Sequence, residues 1–308
     1  MLIDTDPKLF GHYFPSNPHP FLAESFINHN KHKAERIIRL TDNTDKKDIG
    51  LVVGLKNSIL QSPFSAPFGG FHFRNQIINI SEIDRFLISL KEFIQLSSFK
   101  SIEIILPPDI YNRSVNAKFV NSMIRQGFQH KIPDITGWID LTMFSGNFSQ
   151  KNSREYYRQA LRHGLSFELA REGSEEERAY EVIRQNRAWF GRPIFMTFSE
   201  LIEMKSLWPV DFFIVKDKFE NIVAAAICYR SDPIICYTVF WGDTEAGRSF
   251  RAMDFLSYNL WTHYKKLGFR YIDIGISTEN GNPNEGLLRF KESHESVSSL
   301  RYKFILEV

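Results

Sequence analysis

Cysteine is nearly absent from this chain, since only Cys228 and Cys236 occur among its 308 residues. Two thiols are too few for a disulfide framework or for a zinc site built from cysteines. They flank the turn Ser231-Asp232-Pro233, so they could face each other across a hairpin. The sequence favours two reduced thiols in the core over a disulfide, because the cytosol keeps thiols reduced.

A strong excess of either charge is also absent. The formal net charge is +2, with 38 basic and 36 acidic residues. A protein that binds nucleic acid through a strong positive field is therefore disfavoured, although a local basic patch is compatible with this balance. We expect no DNA partner.

Long apolar runs are missing too, and no stretch approaches the length of a membrane span. The segment Met1–Pro7 carries charges and a proline where a signal peptide would need a basic start and an apolar run. These features predict a globular protein located in the cytoplasm, with no insertion into a membrane. The content of 43% hydrophobic and 24% charged residues is ordinary for such a protein.

Several motifs of familiar enzymes do not occur. The nine histidines show no H-E-x-x-H or similar spacing, and there is no G-x-S-x-G elbow, P-loop or Rossmann glycine pattern. We therefore predict no catalytic metal and no tightly bound cofactor.

The most informative stretch that is present runs from Gly268 to Glu292. Its segment Tyr271–Ile276 is an apolar run between Gly268 and a polar cluster, which is typical of a buried strand that ends in a loop. In open α/β sheets, ligands bind where strands end in this way. Asp273 inside the apolar run and Lys291 after Phe290 are charged residues in an otherwise inward-facing pattern.

The remaining pattern predicts alternating strands and helices, and one order of elements occurs twice. Phe99-Lys-Ser-Ile-Glu-Ile104 matches Phe269-Arg-Tyr-Ile-Asp-Ile274, and the apolar face of the preceding helix repeats at the same spacing. We predict a mixed α/β fold with two units, 1–146 and 147–308, each a central mixed sheet flanked by helices. A single shared sheet is the alternative.

This arrangement resembles the GNAT acyltransferase fold, and the tandem form resembles its FemAB-like branch, whose better-known members attach amino acids to peptidoglycan precursors. The resemblance is carried by Ser62-Pro63 with Pro67-Phe-Gly-Gly70, by Arg158-Gln-Ala160 through Gly164, and by Tyr271-Ile-Asp-Ile-Gly275 followed by Gly286-Leu-Leu-Arg-Phe-Lys291. It implies transfer of an acyl or aminoacyl group to the amine of a small molecule or peptide. Acyl-CoA is one possible co-substrate and aminoacyl-tRNA is another.

The sequence departs from both donor patterns. The loop Gly242-Asp-Thr-Glu-Ala-Gly247-Arg-Ser-Phe-Arg251 lacks the R/Q-x-x-G-x-G/A spacing of enzymes that use acyl-CoA. The long charged helical hairpin of some members that use aminoacyl-tRNA is missing as well. The donor therefore stays open.

Acyl transfer needs a deprotonated nucleophile, donors aimed at the developing oxyanion, and neutralisation of the phosphates on the acyl donor. The loop offers Gly242, Gly247, Arg248 and Arg251 before a helix N-terminus, which favours an anion. The alternative is a glycine turn with solvated arginines. If the strands 234–241 and 271–276 splay apart as in GNAT folds, the exposed amides between them could form the oxyanion hole.

Three residues are candidates for the catalytic role, and six others for binding the acceptor. Asp273 or Glu279 could serve as the base, and Tyr237 could protonate the leaving group. Ser62, Phe68, Gly69 and Gly70 of the first unit, with Glu285 and Lys291 of the second, are predicted to bind the acceptor. Asp273 could equally be paired for structural reasons, and Lys291 could be a lysine that extends to the surface.

These observations lead to a cytoplasmic acyltransferase as the main hypothesis. The alternative is a binding or assembly module that keeps the fold and has lost the donor site, which the absent phosphate-loop pattern favours. A cleft with Asp273 and Lys291 on its wall would favour the enzyme.

Overall fold

The structure is a computed structural model, and it describes residues 1–44, 47–75 and 77–307. Its strands are β1 (Leu2–Asp4), β2 (Arg36–Asp42), β3 (Ile49–Lys56), β4 (Ile59–Ser62), β5 (Phe71–Phe73), β6 (Ser101–Ile105), β7 (Gln129–His130), β8 (Asp134–Asp140), β9 (Ser166–Leu169), β10 (Val210–Lys216), β11 (Ile222–Tyr229), β12 (Ile235–Asp243), β13 (Tyr271–Ile276), β14 (Thr278–Glu279), β15 (Asn282–Pro283), β16 (Ser296–Arg301) and β17 (Lys303–Glu307). Its α-helices are α1 (Pro7–Tyr13), α2 (Glu24–His29), α3 (Ile80–Gln95), α4 (Asp109–Arg125), α5 (Lys151–Arg162), α6 (Ser174–Trp189), α7 (Phe198–Glu203), α8 (Glu245–Ser249), α9 (Ala252–Lys266) and α10 (Glu285–Ser293).

The chain forms two compact units, and neither is one continuous segment. The first comprises Met1–Ile135, Thr278–Asn282 and Ser299–Val308, and the second comprises Thr136–Ser277 and Pro283–Ser298. The predicted boundary at residues 146 and 147 differs from this division, which falls at residues 135 and 136. The polar stretch from Phe144 to Asn152 therefore lies inside the second unit.

The first unit is built on a mixed sheet in the order β1-β2-β3-β4-β6-β17-β7, with β5 paired to β3. Strands β4 and β6 are parallel, and the other pairings are antiparallel. Helix α3 packs against the sheet through Ile83, Phe86, Leu87, Leu90 and Ile94, all of which are fully buried. The apolar face predicted from Ile80, Ile83, Phe86, Leu87, Leu90, Phe93 and Ile94 is confirmed except at Ile80, which is 43% exposed, and at Phe93, which is partly buried.

The second unit repeats this plan in the order β16-β8-β13-β12-β11-β10-β9. Here β12 and β13 form the parallel pair. The core combines the small residues of β11 with large aromatic side chains of α9, among them Trp261 and Tyr264. Each unit is thus a mixed sheet with helices packed on it, as the sequence predicts.

The predicted repeat is present in the topology. Strand β6 corresponds to β13, and each is the second member of its unit's parallel pair. The pattern of residues 135–141 predicts a strand that closes the first unit, and this prediction is wrong. Strand β8 instead pairs with β13, and the C-terminal β17 pairs with β6.

The pattern predicts a helix from about Ser249 to Leu267, and the structure has it as α9, Ala252–Lys266, with the short helix α8 just before it. Arg251 separates them because its backbone has a φ of 60°, which an α-helix cannot contain. This break gives α9 its own N-terminus at Ala252. The loop from Gly242 to Arg251 therefore contains the short helix α8 and leads directly into α9.

The part of the chain that the structure describes offers neither a membrane-spanning helix nor a cluster of metal ligands. None of the helices in this part of the chain is long and apolar enough to cross a membrane. Within the same residues, no three His, Cys, Asp or Glu side chains are grouped closely enough to hold a metal ion.

Candidate functional site

The parallel strands β12 and β13 separate soon after they begin to pair. Their ladder joins Ile235 to Tyr271 and ends at the pair Tyr237 and Asp273, although β12 continues to Asp243. Opposite β11, Thr238 pairs with Cys228 and Phe240 pairs with Ile227, so Val239 is the extra residue of a β-bulge. The splay predicted between these strands is present, and the bulge lies where it begins.

A cleft of about 530 Å³ opens beyond this point, inside the second unit. Its wall combines the end of β12, the C-terminal part of α6 and the segment that follows it, the loop before α9, and the start of α10. The lining residues are Asn186, Arg187, Phe190, Arg192, Trp241, Gly242, Asp243, Arg248, Arg251, Ala252, Met253, Asp254, Asn284, Gly286, Leu287 and Phe290. This volume is in the range of small-molecule sites.

The equivalent parallel pair of the first unit has no comparable cleft in its described residues. Strand β4 ends at Ser62, and its ladder with β6 covers its whole length. The space beyond is filled by Phe68, whose ring lies 4.9 Å from the rings of both His19 and Tyr111. The nearby cavities hold only about 10 Å³ each. The longer β12 is what leaves room in the second unit.

The predicted phosphate loop borders the cleft, and its fold is fixed by local contacts. Thr244 caps α8 by accepting a hydrogen bond from the Gly247 amide at 3.0 Å. A Cβ at Gly247 would lie 2.2 Å from the Val223 carbonyl oxygen, so a larger residue would force α8 away from β11. Gly242, Arg248 and Arg251 line the cleft, whereas Gly247 is buried beneath it.

The two arginines of this loop have different partners. The Arg248 guanidinium lies 3.2 Å from the Asp243 carboxylate. The Arg251 guanidinium stacks 3.9 Å above the ring of Tyr156. Since α9 begins beside Arg251, unpaired backbone N–H groups of its first turn add to the positive potential there. The loop can therefore attract an anion.

Asp243 is the group that opposes an anion in this loop. Burial raises the pKa of its carboxyl group to about 6, although Arg248 favours the charged form. The Asn186 side chain also donates to its Oδ1 at 2.9 Å. At neutral pH the Asp243 carboxylate is charged and forms an ion pair with Arg248, so it competes with any other anion for this arginine.

Replacing Asp243 with asparagine is expected to strengthen binding of inorganic pyrophosphate about tenfold at pH 7.5, since a repulsive charge is lost and Arg248 is released. Below pH 6 the wild-type carboxyl group is protonated, so the two proteins should approach equal affinity as the pH falls to 5. Calorimetric titrations at both pH values measure this, and protonation of the ligand cancels in the comparison. A ratio that stays constant with pH would contradict the role given to Asp243.

Asp273 and Lys291 are both buried where β13 ends. Asp273 is 1% exposed, and its Oδ1 accepts a hydrogen bond from the Gly275 amide at 2.8 Å. Lys291 Nζ donates to the Gly275 and Ile276 carbonyl oxygens at 2.8 and 2.9 Å. Gly275 has a φ of 68°, which glycine adopts without strain. The lysine therefore holds the end of β13 in a bent form, and neither Lys291 nor Asp273 lines the cleft.

The other predicted catalytic and acidic residues are dispersed. Tyr237 is half-buried and is the register partner of Asp273, so the structure brings these two together. Glu279 is exposed in β14, which belongs to the first unit. Glu285 is 76% exposed at the start of α10 and pairs with Arg289 at 3.2 Å.

The predicted acceptor loop of the first unit is tightly packed. Ser62 Oγ accepts a hydrogen bond from the Gly70 amide at 3.1 Å. The Gly69 carbonyl oxygen lies 2.9 Å from His19 Nε2. Phe68 is 1% exposed. These contacts fix the shape of the turn within this unit, and none of the four residues lines the cleft described above.

Sequence reasoning missed the part of the wall that α6 provides. Asn186, Arg187 and Phe190 line the cleft, as does Arg192 after the helix end. A signal was available in the sequence, because the helix ends in Trp189-Phe190-Gly191-Arg192, two aromatic residues at a glycine stop. It also missed Asp254, whose Oδ1 lies 3.0 Å from His294 Nε2 in a buried pair at the start of α9.

Comparisons with solved structures show which fold this is. FemX matches with a TM-score of 0.65 at 12% identity, over 99% of this chain and 97% of that chain. A tandem GNAT protein from the clavulanic acid biosynthesis pathway matches with a TM-score of 0.52 at 9% identity, over 88% and 83% of the two chains.

A GCN5-related N-acetyltransferase from Sphaerobacter thermophilus matches with a TM-score of 0.53 at 13% identity, over 100% of this chain and 95% of that chain. No family model and no curated protein matches the sequence. At these identities the likeness concerns the fold alone. The chain has a tandem GNAT, FemX-like fold.

Proposed function

We propose that the protein is an acyltransferase that moves an acyl or aminoacyl group from a phosphate-bearing donor to an amine. The donor is a thioester of CoA or an aminoacyl-tRNA. The observation that carries the proposal is the cleft beyond the divergence of β12 and β13, with arginines on one wall and apolar side chains on another. An N-acetyltransferase among the similar structures supports the same class of reaction.

The residues around the cleft suit such a donor. Arg248 and Arg251 would hold its phosphates at the start of α9 through charge-assisted hydrogen bonds. Trp241, Leu287 and Phe290 line the same cleft and offer an apolar surface to the chain that carries the acyl group. The backbone at the Val239 bulge is a candidate for the oxyanion hole, because bulged residues leave the regular ladder.

In the proposed reaction the amine nitrogen attacks the acyl carbonyl carbon. The bond from that carbon to the donor sulfur or oxygen breaks, and the amine proton passes to a base while the leaving group is protonated. Asp273, next to Tyr237 in the register of β12 and β13, is the candidate base, and Tyr237 is the candidate acid.

A binding module without catalysis is the second candidate function. Arg248 already forms an ion pair with Asp243, so one of the two loop arginines is less available to a phosphate. This ion pair and the missing glycine spacing favour the binding module. Such a module would bind its ligand in the same cleft without turnover.

Acyl transfer can be measured with acetyl-CoA and with charged tRNA as donors and a panel of small amines and amino-terminal peptides as acceptors. We expect product with one donor class, and loss of product when Trp241 is replaced by aspartate, since the acyl arm would then meet a charge. Absence of product with every donor, together with tight binding of CoA, would favour the binding module.

A further inference from the structure

An exposed aromatic ring stands at the mouth of the cleft. Phe190, which follows the last residue of α6, is 58% exposed and lines the cleft. Its neighbour Trp189 is 73% exposed. Large aromatic side chains this exposed leave apolar surface in contact with water unless a ligand or partner covers it. They therefore often mark a binding site.

Hydrogen bonds at the end of α6 fix the backbone at Phe190. The Arg192 amide donates to the Arg187 carbonyl oxygen at 2.8 Å, and the Arg187 Nε donates back to the Arg192 carbonyl oxygen at 3.2 Å. Gly191 sits between them with a φ of 69°. Because these bonds close the end of α6, the backbone that carries the ring is held in place, and a ligand would not have to order this segment.

Positive charge surrounds this ring. The guanidinium carbon of Arg248 lies 5.7 Å from the centre of the Phe190 ring, and Arg187, Arg192 and Arg251 line the same cleft. A planar base stacked on an aromatic ring, with its phosphates held by arginines, matches this combination of groups. A purely apolar ligand would leave the arginines unused.

From this arrangement we infer that Phe190 and the arginines beside it form a subsite for the adenosine phosphate end of the acyl donor, with the adenine stacked on Phe190. The inference rests on the proposed function for the presence of a donor, and it adds the group that recognises the donor's nucleotide. CoA and the 3′ end of a tRNA both carry adenosine with phosphate, so the shared chemistry defines the subsite.

Calorimetric titration of the full chain tests the subsite without requiring catalysis. The probes are adenosine 3′,5′-bisphosphate for a CoA-type nucleotide, the trinucleotide cytidylyl-cytidylyl-adenosine for a tRNA-type end, and inorganic pyrophosphate, which has no base. The variants are Phe190→Ala and Phe190→Trp. Phe219→Ala is the matched control, because Phe219 is 72% exposed and does not line the cleft.

We expect Phe190→Ala to weaken binding of at least one adenosine probe about tenfold, as loss of one stacked base predicts. Phe190→Trp should retain that affinity, Phe219→Ala should leave it unchanged, and pyrophosphate binding should not respond to Phe190. The adenosine probe that responds identifies the source. Equal affinity of wild type and Phe190→Ala for both adenosine probes, or binding of them no tighter than pyrophosphate, would overturn the subsite.

A donor without a nucleotide separates this inference from the proposed function. Suppose that the acyl group is transferred from a thioester of N-acetylcysteamine, and that adenosine binding does not change when Phe190 is replaced. This result would overturn the subsite and would still support the acyltransferase. Adenosine binding that depends on Phe190, with no transfer from any donor, would support the subsite and count against the enzyme.

Discussion

Replacing Arg251 with glutamate is expected to weaken donor binding about 100-fold. The change removes a charge-assisted hydrogen bond to phosphate, on the order of 2 kcal/mol, and places a repulsive charge at the same point. The helix should tolerate it, since a carboxylate at the N-terminus of α9 is favourable for the helix dipole. The loss of affinity would thus reflect the site and not the stability of the fold.

Arg184→Glu is the matched control for this variant. It changes the net charge by the same amount in the same unit, but Arg184 is half-exposed on α6, pairs with Glu181 at 2.7 Å and does not line the cleft. Calorimetry gives the dissociation constants of CoA and of an aminoacylated RNA end for both variants. Their comparison tests whether Arg251 contacts a phosphate. Equal losses in the two variants would mean that only long-range charge matters, which contradicts a phosphate contact at Arg251.

Replacing Lys291 with methionine should change how stability depends on pH. Burial lowers the pKa of the Lys291 ammonium group to about 7, although the Asp273 carboxylate nearby raises it. In the unfolded chain the pKa returns to about 10.4. Between these two values the unfolded state binds the extra proton and the folded state does not, so wild-type stability rises with pH across this window. Below pH 7 both states are protonated and no such rise occurs.

The neutral amine still has two N–H groups for the Gly275 and Ile276 carbonyl oxygens, so its loss leaves both carbonyls without this donor. We expect the free energy of unfolding of wild type, relative to that of Lys291→Met, to rise by about 2–3 kcal/mol from pH 6.5 to pH 9. Urea unfolding followed by circular dichroism measures it. Lys266→Met, at an exposed site on α9, should differ from wild type by a constant amount. A constant difference for Lys291→Met as well would refute the assignment.

What the sequence predicts well is set by local chemistry. The strand Tyr271–Ile276 is confirmed with the predicted bounds, because glycine and polar residues delimit its apolar run. The spacing Thr197-x-x-Glu200 predicts a capping box, and it is confirmed, with Glu200 accepting from the Thr197 amide at 2.7 Å. The spacing Ser174-x-x-Glu177 predicts another, but Glu176 instead accepts from the amide of Gly173, which has no side chain to complete a box.

What the sequence does not predict depends on partners distant along the chain. Nothing in the pattern of residues 134–140 says that this strand pairs with β13 and not with β6, since both partners offer the same apolar face. Lys291 is a similar case: its position at the edge of an apolar face is visible in the sequence, but the two carbonyl oxygens that receive its hydrogen bonds are not. The wall from Asn186 to Arg192 lies about 50 residues before the loop that it faces, so spacing alone could not join them.

The central claim is that the cleft of the second unit holds the acyl donor, and the position of a bound donor tests it most directly. A crystal structure of the protein with CoA or an aminoacylated trinucleotide, whichever binds in calorimetry, should show the phosphates at Arg248 and Arg251 and, for CoA, the pantetheine arm beside Trp241 and Phe290. A donor bound away from this cleft, with these side chains untouched, would contradict the account.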